Sequence, residues 1–131
     1  MSPRLKYKIN RDVKYRQLEV IDVPAITVGC TDQWFNQTLT RVNDSVVRLG
    51  IVQGEFHWHQ HDKDDEFFFV LEGRLLIDVE GRTIELAPRQ GVTIPRGVRH
   101  RPRAPEKTLM LMVETKSVVP TGDQRKRRGR P

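Results

Sequence analysis

From residue 46 onward, short apolar stretches alternate with glycine, proline and acidic turn residues, and this pattern limits the possible folds more than any other feature of the sequence. The stretches cover residues 46–52, 66–71, 75–79, 83–86, 92–94 and 109–113. Between two of them, Glu80-Gly81 is typical of a β-hairpin turn. Strands this short and this closely spaced predict an all-β sandwich or barrel.

Residues 1–45 are harder to interpret. Residues 21–28 contain Pro24, which strands tolerate mainly at a sheet edge, so we predict an edge strand there. Residues 32–39 fit either a strand or one helical turn. A proline-spaced stretch, 101–105, precedes the apolar run at 109–113.

The run at 109–113 is apolar at every position, so both faces of that strand are expected to be covered. A second subunit would cover the outer face in a homodimer, which we predict; the alternative is cover by the N-terminal segment. The chain is accordingly divided into an N-terminal segment packing on or extending the barrel (1–45), a barrel domain (46–118) and a basic, flexible tail (119–131).

A length of 131 residues fits one domain. The lone cysteine, Cys30, and the absence of a long apolar stretch near Met1 predict a cytoplasmic protein. No apolar run exceeds five residues, whereas a membrane-spanning helix needs about 20, so no membrane association is expected.

The excess positive charge lies at the two ends of the chain. Residues 1–16 carry net +5 and residues 121–131 net +4, whereas 17–120 carry net −3, within a total of +6. The basic C-terminal end has nothing apolar to bury, which predicts a solvated tail with at most weak, salt-sensitive binding to nucleic acid.

Histidines alternate along one short segment. His57, His59 and His61 have a period of two, which places them on one face of an extended strand. Imidazoles crowded on one face favour a metal ion, for which neutral imidazole is a common ligand. Glu66 opens an apolar strand, where a carboxylate is costly to bury unless it is paired or coordinated, and His100 follows a rigid Pro95-Arg96-Gly97 turn.

In this arrangement the sequence resembles the cupin family. Two histidines one residue apart, then a glutamate and a glycine, match the first cupin motif at His59, His61, Glu66 and Gly73. Proline, glycine and histidine match the second motif at Pro95, Gly97 and His100. Two positions depart from the family pattern: Arg89 replaces a glycine and Ala104 an asparagine.

The resemblance, closest to small single-domain cupins of type 2, implies a double-stranded β-helix, or jelly-roll barrel. It also implies that His59, His61, Glu66 and His100 ligate one divalent metal ion: Fe, Mn, Ni or Zn. Three imidazoles and one carboxylate would leave two positions open on an octahedral ion. The alternative is a vestigial site in which the four side chains only hydrogen-bond one another.

Other residues are expected around this site. His57 is a candidate catalytic acid or base, or else a partly exposed histidine at the pocket mouth. Phe68 and Val70 share the parity of Glu66 and should form an apolar wall, with Phe67 and Phe69 on the opposite face. Trp58 is expected to pack between layers.

Charged side chains outside the histidine cluster have simpler explanations. Arg48 would either anchor an anionic substrate or extend to solvent at a sheet edge. The four arginines around His100 are expected to be solvated loop charges: Arg96, Arg99, Arg101 and Arg103. The acidic turn at 62–65 lacks the spacing of a second metal site.

Three functions from different classes remain open. The first is a metal-dependent enzyme, an oxygenase or isomerase, acting on a small molecule. The second is a non-catalytic module that binds a metal or small molecule, and the third is a nucleic-acid-associated protein using the basic ends. The fold alone cannot choose between them.

Overall fold

A computed structural model describes residues 6–123 and confirms the all-β prediction. Within that range one short helix and eight strands follow one another. Their bounds are β1 (Tyr7–Asn10), α1 (Val23–Thr27), β2 (Trp34–Val42), β3 (Ser45–Glu55), β4 (Glu66–Glu72), β5 (Leu75–Val79), β6 (Arg82–Leu86), β7 (Gly91–Ile94) and β8 (His100–Thr115).

Strand β8 connects the two halves of the barrel. Its C-terminal part pairs with both β3 and β4, and its first residues pair with β5. The strand path β1-β2-β3-β8-β4-β7 is completed by β5 and β6, which form the hairpin predicted at Glu80-Gly81. Strand β8 runs through Pro102 and Pro105 of the proline-spaced stretch. Each proline keeps its carbonyl acceptor, and that of Pro102 accepts a hydrogen bond from the amide of Phe56.

The barrel interior holds the larger apolar cluster. Phe68 and Val70 are buried there, as their parity predicted, together with Trp34 and Met110. Phe67 and Phe69 point the other way, stay partly exposed and stack on each other with ring centroids 6.2 Å apart.

A second apolar cluster lies on the outer face of β2, β3 and β8, where Leu49, Ile51 and Leu109 are buried. The N-terminal segment covers this face, with Tyr15 and Ile26 packed against the cluster. This is the alternative to a second subunit, so the apolar run at 109–113 no longer requires a dimer. The homodimer itself remains a prediction.

The predicted edge strand at 21–28 is wrong. Val23–Thr27 form a helical turn, begun by Asp22, whose side-chain oxygen accepts a hydrogen bond of 3.2 Å from the amide of Ala25. Pro24 lies in the first turn, where a missing amide hydrogen costs nothing. Residues 32–39, for which two structures were open, contribute to strand β2.

Two arginines of β8 are not solvated loop charges. The carboxylate of Asp78 accepts hydrogen bonds of 2.8 Å from both Arg101 and Arg103 across the β5–β8 pairing. Hydrogen bonds from Arg103, then from Thr83 and Arg101, outweigh burial and hold the pKa of Asp78 well below its usual range. The cluster fixes the register of the two strands next to His100.

Among residues 6–123 no helix has the length and apolarity needed to span a bilayer. The basic residues 124–131 lie outside the described residues, so the prediction of weak nucleic-acid binding through the tail stays untested.

Candidate metal centre

Backbone hydrogen bonds bring the distant histidines together. His59 and His100 form an isolated antiparallel bridge, in which each backbone amide donates to the other residue's carbonyl at 2.9 and 2.8 Å. The amide of Gly97 donates to the carbonyl of His61 at 2.8 Å, which ties the second motif to the first. Gly97 has φ +78°, a conformation that favours glycine.

The segment bearing the histidines is less regular than the sequence suggested. Strand β3 ends at Glu55, and of residues 56–61 only His59 takes part in a β-bridge. The alternating pattern nevertheless places His59 and His61 toward the same interior.

The structure brings together His59, His61, Glu66 and His100, which are all buried and whose candidate ligand atoms lie within 4.8 Å of one another. The Oε1 atom of Glu66 lies 3.1 Å from Nε2 of His100 and 3.3 Å from Nε2 of His61. This arrangement fits metal binding.

The hydrogen bonds of the rings expose the lone pairs that a metal needs. Nδ1 of His59 lies 3.1 Å from the carbonyl of His57, and Nδ1 of His100 lies 2.9 Å from the carbonyl of Val98. Because a carbonyl only accepts, each Nδ1 carries the hydrogen, and Nε2 of a neutral ring is left with a lone pair. A lone pair of His100 facing the Glu66 carboxylate is unfavourable unless a proton or a cation lies between them.

His61 provides the sharpest test of whether a metal fits. The ring is buried, and neither nitrogen has a hydrogen bond with acceptable geometry among the described residues, although Nε2 approaches Glu66. Buried polar atoms are nearly always satisfied, so an imidazole left without a partner calls for a ligand. A divalent ion between the four side chains would supply one.

The protonation states also suit a metal. Burial, followed by the charge of His100, lowers the pKa of His59 to about 3, so this ring is neutral near pH 7. Burial alone would raise the pKa of Glu66, but the electrostatic influence of the nearby His100 and His61 rings outweighs it and holds that pKa below its usual range. Neutral imidazole and ionised carboxylate are the forms that coordinate a cation.

His57 lies beside this group and not within it. Its ring centroid is 5.4 Å from that of His59, and the residue is exposed. Nδ1 lies 3.0 Å from the hydroxyl of Tyr7, and Nε2 lies 2.7 Å from the carbonyl of Thr121. Both ring nitrogens therefore have partners at the mouth of the pocket.

The segment after β8 folds back over the histidines, which nothing in the sequence indicated. The amide of Asp123 donates to the carbonyl of Gln60 at 3.0 Å, and its carboxylate accepts from the amide of Asp62 at 2.7 Å. Gly122 packs directly against His59. Residues 119–123, which we grouped with the tail, thus border the candidate site.

Trp58 does not pack between layers as expected. The side chain is partly exposed, and the guanidinium groups of Arg99 and Arg101 lie over its ring at 5.3 and 5.4 Å. Cation–π contacts of this kind hold the ring on the outside of the barrel.

Behind Glu66 lies a buried ion pair that sequence reasoning missed. Arg48 is 2% exposed, so it neither extends to solvent nor is available to a substrate as predicted; it pairs with Glu114, which is 4% exposed. The β4–β8 register, with Phe67 opposite Val113, places Glu114 across from Glu66. The unusual position of Arg48 in an apolar strand was the only available signal.

A narrow cavity of about 20 Å³ opens beside the candidate ligands. Its lining includes His59 and Glu66 together with Trp34, Phe56, Phe68, Met110 and Met112. The four side chains that could hold a metal therefore border a mostly apolar space.

With this geometry in place, comparison with known proteins settles the family. The family model of the cupin domain matches residues 46–115. The chain belongs to the cupin family. This cupin is 44% identical over 93 residues to the uncharacterized protein YdbB of Bacillus subtilis, a match that covers 70% of this chain and 82% of YdbB.

Two further relatives carry functional names. This cupin is 33% identical over 76 residues to the polyketide synthase CurC of Streptomyces cyaneus, covering 58% of this chain and 43% of CurC. It is 24% identical over 100 residues to the acireductone dioxygenase of Bacillus velezensis, covering 72% of this chain and 56% of that enzyme. Both matches span well under two thirds of the relative, and together they give no specific function.

Solved structures agree with the fold. A cupin-2 domain containing protein from Shewanella frigidimarina has a TM-score of 0.70 and 33% identity, covering 73% of this chain and 94% of that one. KdgF from Halomonas sp. has a TM-score of 0.60 at 17% identity, covering 86% and 96%, and shows the fold alone. The jelly-roll barrel predicted from the motifs is therefore confirmed.

Proposed function

We propose that this cupin holds one divalent metal ion with His59, His61, Glu66 and His100, and that it is a metal-dependent enzyme, an oxygenase or isomerase, acting on a small molecule. The observation that carries the proposal is the buried His61 ring, which makes no hydrogen bond with a described residue while it faces the Glu66 carboxylate. The resemblance to an enzyme named as a dioxygenase favours the oxygenase class.

A metal ion held by these four side chains would have a defined chemistry. A bound Fe, Mn, Ni or Zn ion would supply Lewis acidity and, if octahedral, open positions for small ligands. The carbonyls of His57 and Val98 hold two of the imidazoles in the tautomer that presents Nε2. The Glu66 carboxylate offsets part of the positive charge, and the aromatic lining of the cavity excludes bulk water.

A non-catalytic binding module is the second candidate, and the surroundings of His57 favour it. As an acid or base, His57 would need a ring nitrogen free to exchange a proton, yet Tyr7 and Thr121 engage both. Catalysis through His57 therefore requires one of these contacts to open.

Elemental analysis of protein purified without a histidine tag tests the metal site. We expect about one equivalent of metal in the native protein and its loss in both His59→Ala and His100→Ala. His57→Ala is the matched control, since it removes a neighbouring imidazole outside the proposed ligand set and should keep the metal. Equal metal content in native protein and His100→Ala would overturn the proposal.

Steady-state assays with the metal-loaded protein separate enzyme from binder. Dioxygen uptake, or isomerisation of sugar and keto compounds, that is lost in His100→Ala supports catalysis. Ligand binding without turnover across such a panel supports the binding module. The homodimer and the cytoplasmic location expected from the sequence stay predictions.

A further inference from the structure

Among the three imidazoles proposed as metal ligands, His61 differs from the other two in the surroundings of its Nδ1 atom. Nδ1 of His59 and Nδ1 of His100 each lie beside a backbone carbonyl, at 3.1 and 2.9 Å. Nδ1 of His61 is buried and makes no hydrogen bond with a described residue. Because a metal-bound histidine almost always donates its other ring N–H to an acceptor, this nitrogen needs a partner.

The carboxylate of Asp123 lies where such an acceptor is needed. Its Oδ1 atom is 4.0 Å from Nδ1 of His61, which is about 1 Å longer than an ordinary N–H···O hydrogen bond. Its other oxygen, Oδ2, accepts a hydrogen bond of 2.7 Å from the backbone amide of Asp62. The carboxylate is therefore anchored through one oxygen, with the second oxygen beside the ring.

Backbone contacts keep Asp123 next to the histidine segment. Its amide donates to the carbonyl of Gln60 at 3.0 Å, so the main chain and the side chain of Asp123 bind the residues on either side of His61. The χ2 torsion of an aspartate is soft, and a small rotation brings Oδ1 to the ring while the backbone stays in place. Within residues 6–123 no lysine or arginine forms an ion pair with Asp123, so Oδ1 is available to the imidazole.

We propose that Asp123 is a positioning residue for the metal centre: its carboxylate accepts a hydrogen bond from Nδ1 of His61 and so keeps the Nε2 lone pair of that ring available to the metal. The inference rests on the proposed function and extends it, because it assigns an outer partner to the third imidazole. The partner of His61 is then a charged carboxylate instead of a backbone carbonyl. A negative charge behind the ring raises its basicity as a metal ligand.

Titration with Zn²⁺ in competition with a chromogenic chelator measures the effect on metal affinity. We expect Asp123→Asn and Asp123→Ala to bind Zn²⁺ about 10- to 100-fold more weakly than the native protein, the usual loss when the outer partner of a metal ligand is removed. Equal Zn²⁺ affinity of the native protein and Asp123→Asn would overturn the inference.

Asp62→Asn is the matched control for net charge. Asp62 is exposed, and its carboxylate accepts a hydrogen bond of 2.6 Å from the side chain of Gln60, away from the imidazole. The substitution removes one negative charge beside the site and should change the Zn²⁺ affinity by less than about fivefold, because exposed charges interact weakly. A loss as large as that of Asp123→Asn would assign the effect to charge alone and contradict the role of the hydrogen bond.

The asparagine variant also separates positioning from a purely structural role of the side chain. Its amide oxygen can still accept from the backbone amide of Asp62, so the segment keeps its anchor, but an NH₂ donor then faces Nδ1 of His61. A neutral ring that accepts from this donor carries its hydrogen on Nε2 and has no lone pair there for a metal. If Asp123 only anchored the backbone, Asp123→Asn would behave as the native protein and only Asp123→Ala would lose affinity, a result that would refute the assigned role.

Nitrogen NMR of the metal-free protein gives a readout that a structural role would not change. In ¹⁵N-labelled protein, the chemical shifts of the ring nitrogens distinguish a nitrogen that carries hydrogen from one that does not. We expect Nδ1 of His61 to carry hydrogen in the native protein and to lack it in Asp123→Asn. A native Nδ1 without hydrogen, with the hydrogen on Nε2 toward Glu66, would show that the carboxylate of Asp123 does not set the tautomer.

The two measurements together separate this inference from the metal proposal. A native protein that binds no metal, but in which Asp123→Asn removes the hydrogen from Nδ1, counts against the proposed function alone and supports the bond between Asp123 and His61. A native protein that loses its metal in His100→Ala, but in which Asp123→Asn changes neither the Zn²⁺ affinity nor the hydrogen on Nδ1, counts against this inference alone.

Discussion

The buried ion pair behind Glu66 yields the most demanding prediction. Arg48 donates to Glu114, to the hydroxyl of Thr38 at 3.1 Å and to the carbonyl of Val118 at 3.0 Å. The side chains of the pair are 2% and 0% exposed. Burial, followed by the charge of Glu66, raises the pKa of Glu114, so the surroundings disfavour its ionised form. The positive charge of Arg48 acts in the opposite direction and offsets part of the cost of burying the carboxylate.

Arg48→Met removes the cation and leaves the second partner in place. Breaking a buried ion pair in this way costs about 3–5 kcal/mol of unfolding free energy, because an uncompensated charge stays behind. Replacing both partners by apolar groups is often neutral or stabilising, so Arg48→Met combined with Glu114→Leu should recover most of the loss. The single variant is therefore expected to have a lower free energy of unfolding than the double variant.

Urea denaturation of metal-free protein measures both variants against the native chain. The midpoint should fall in Arg48→Met and return in the double variant, with a similar slope in all three proteins. A cost below about 1 kcal/mol for the single change, or a double variant as unstable as the single one, would refute the assigned role of Arg48.

Two other features give predictions of their own. Asp78→Asn should destabilise the protein by about 2 kcal/mol, as measured by urea denaturation, because hydrogen bonds from two arginines are weakened. Since the pKa of Asp78 is lowered in the folded state, the stability it contributes is present above the unfolded value near 3.8 and is lost as pH falls below it, so the native and Asp78→Asn unfolding curves should converge in acid. Gly73→Ala should lower the thermal midpoint far more than Gly81→Ala: both glycines have positive φ, but an added Cβ meets the carbonyl of Lys107 at 2.6 Å only at position 73. Equal decreases in the thermal midpoint at the two positions would show that the positive φ alone, and not the contact with Lys107, determines the loss of stability.

Much of the fold and the grouping of the candidate ligands could be predicted because they depend on local patterns. The period of two places the side chains of His59 and His61 on one face, and the rigid turn sets the position of His100. Pairing of the strands then brings these candidate ligands together. The Glu80-Gly81 hairpin likewise follows from the turn residues themselves.

What could not be predicted depends on contacts between distant segments. The pairing of Arg48 with Glu114 spans 66 positions, and that of Asp78 with Arg101 spans 23. Pro24 on its own favours an edge strand over residues 21–28. The N-cap by Asp22 instead stabilises a helical turn, in whose first turn a proline is accepted. No local pattern showed that residues 119–123 return to the histidines.

That return gives residues 119–123 an influence on the candidate site. Gly122 adopts φ +98°, and a Cβ atom there would lie 2.6 Å from the Cβ atom of His59. Proteolytic trimming that reaches Gly122 would therefore alter the surroundings of one imidazole directly. A preparation shortened by proteases should be checked by mass before its metal content is interpreted.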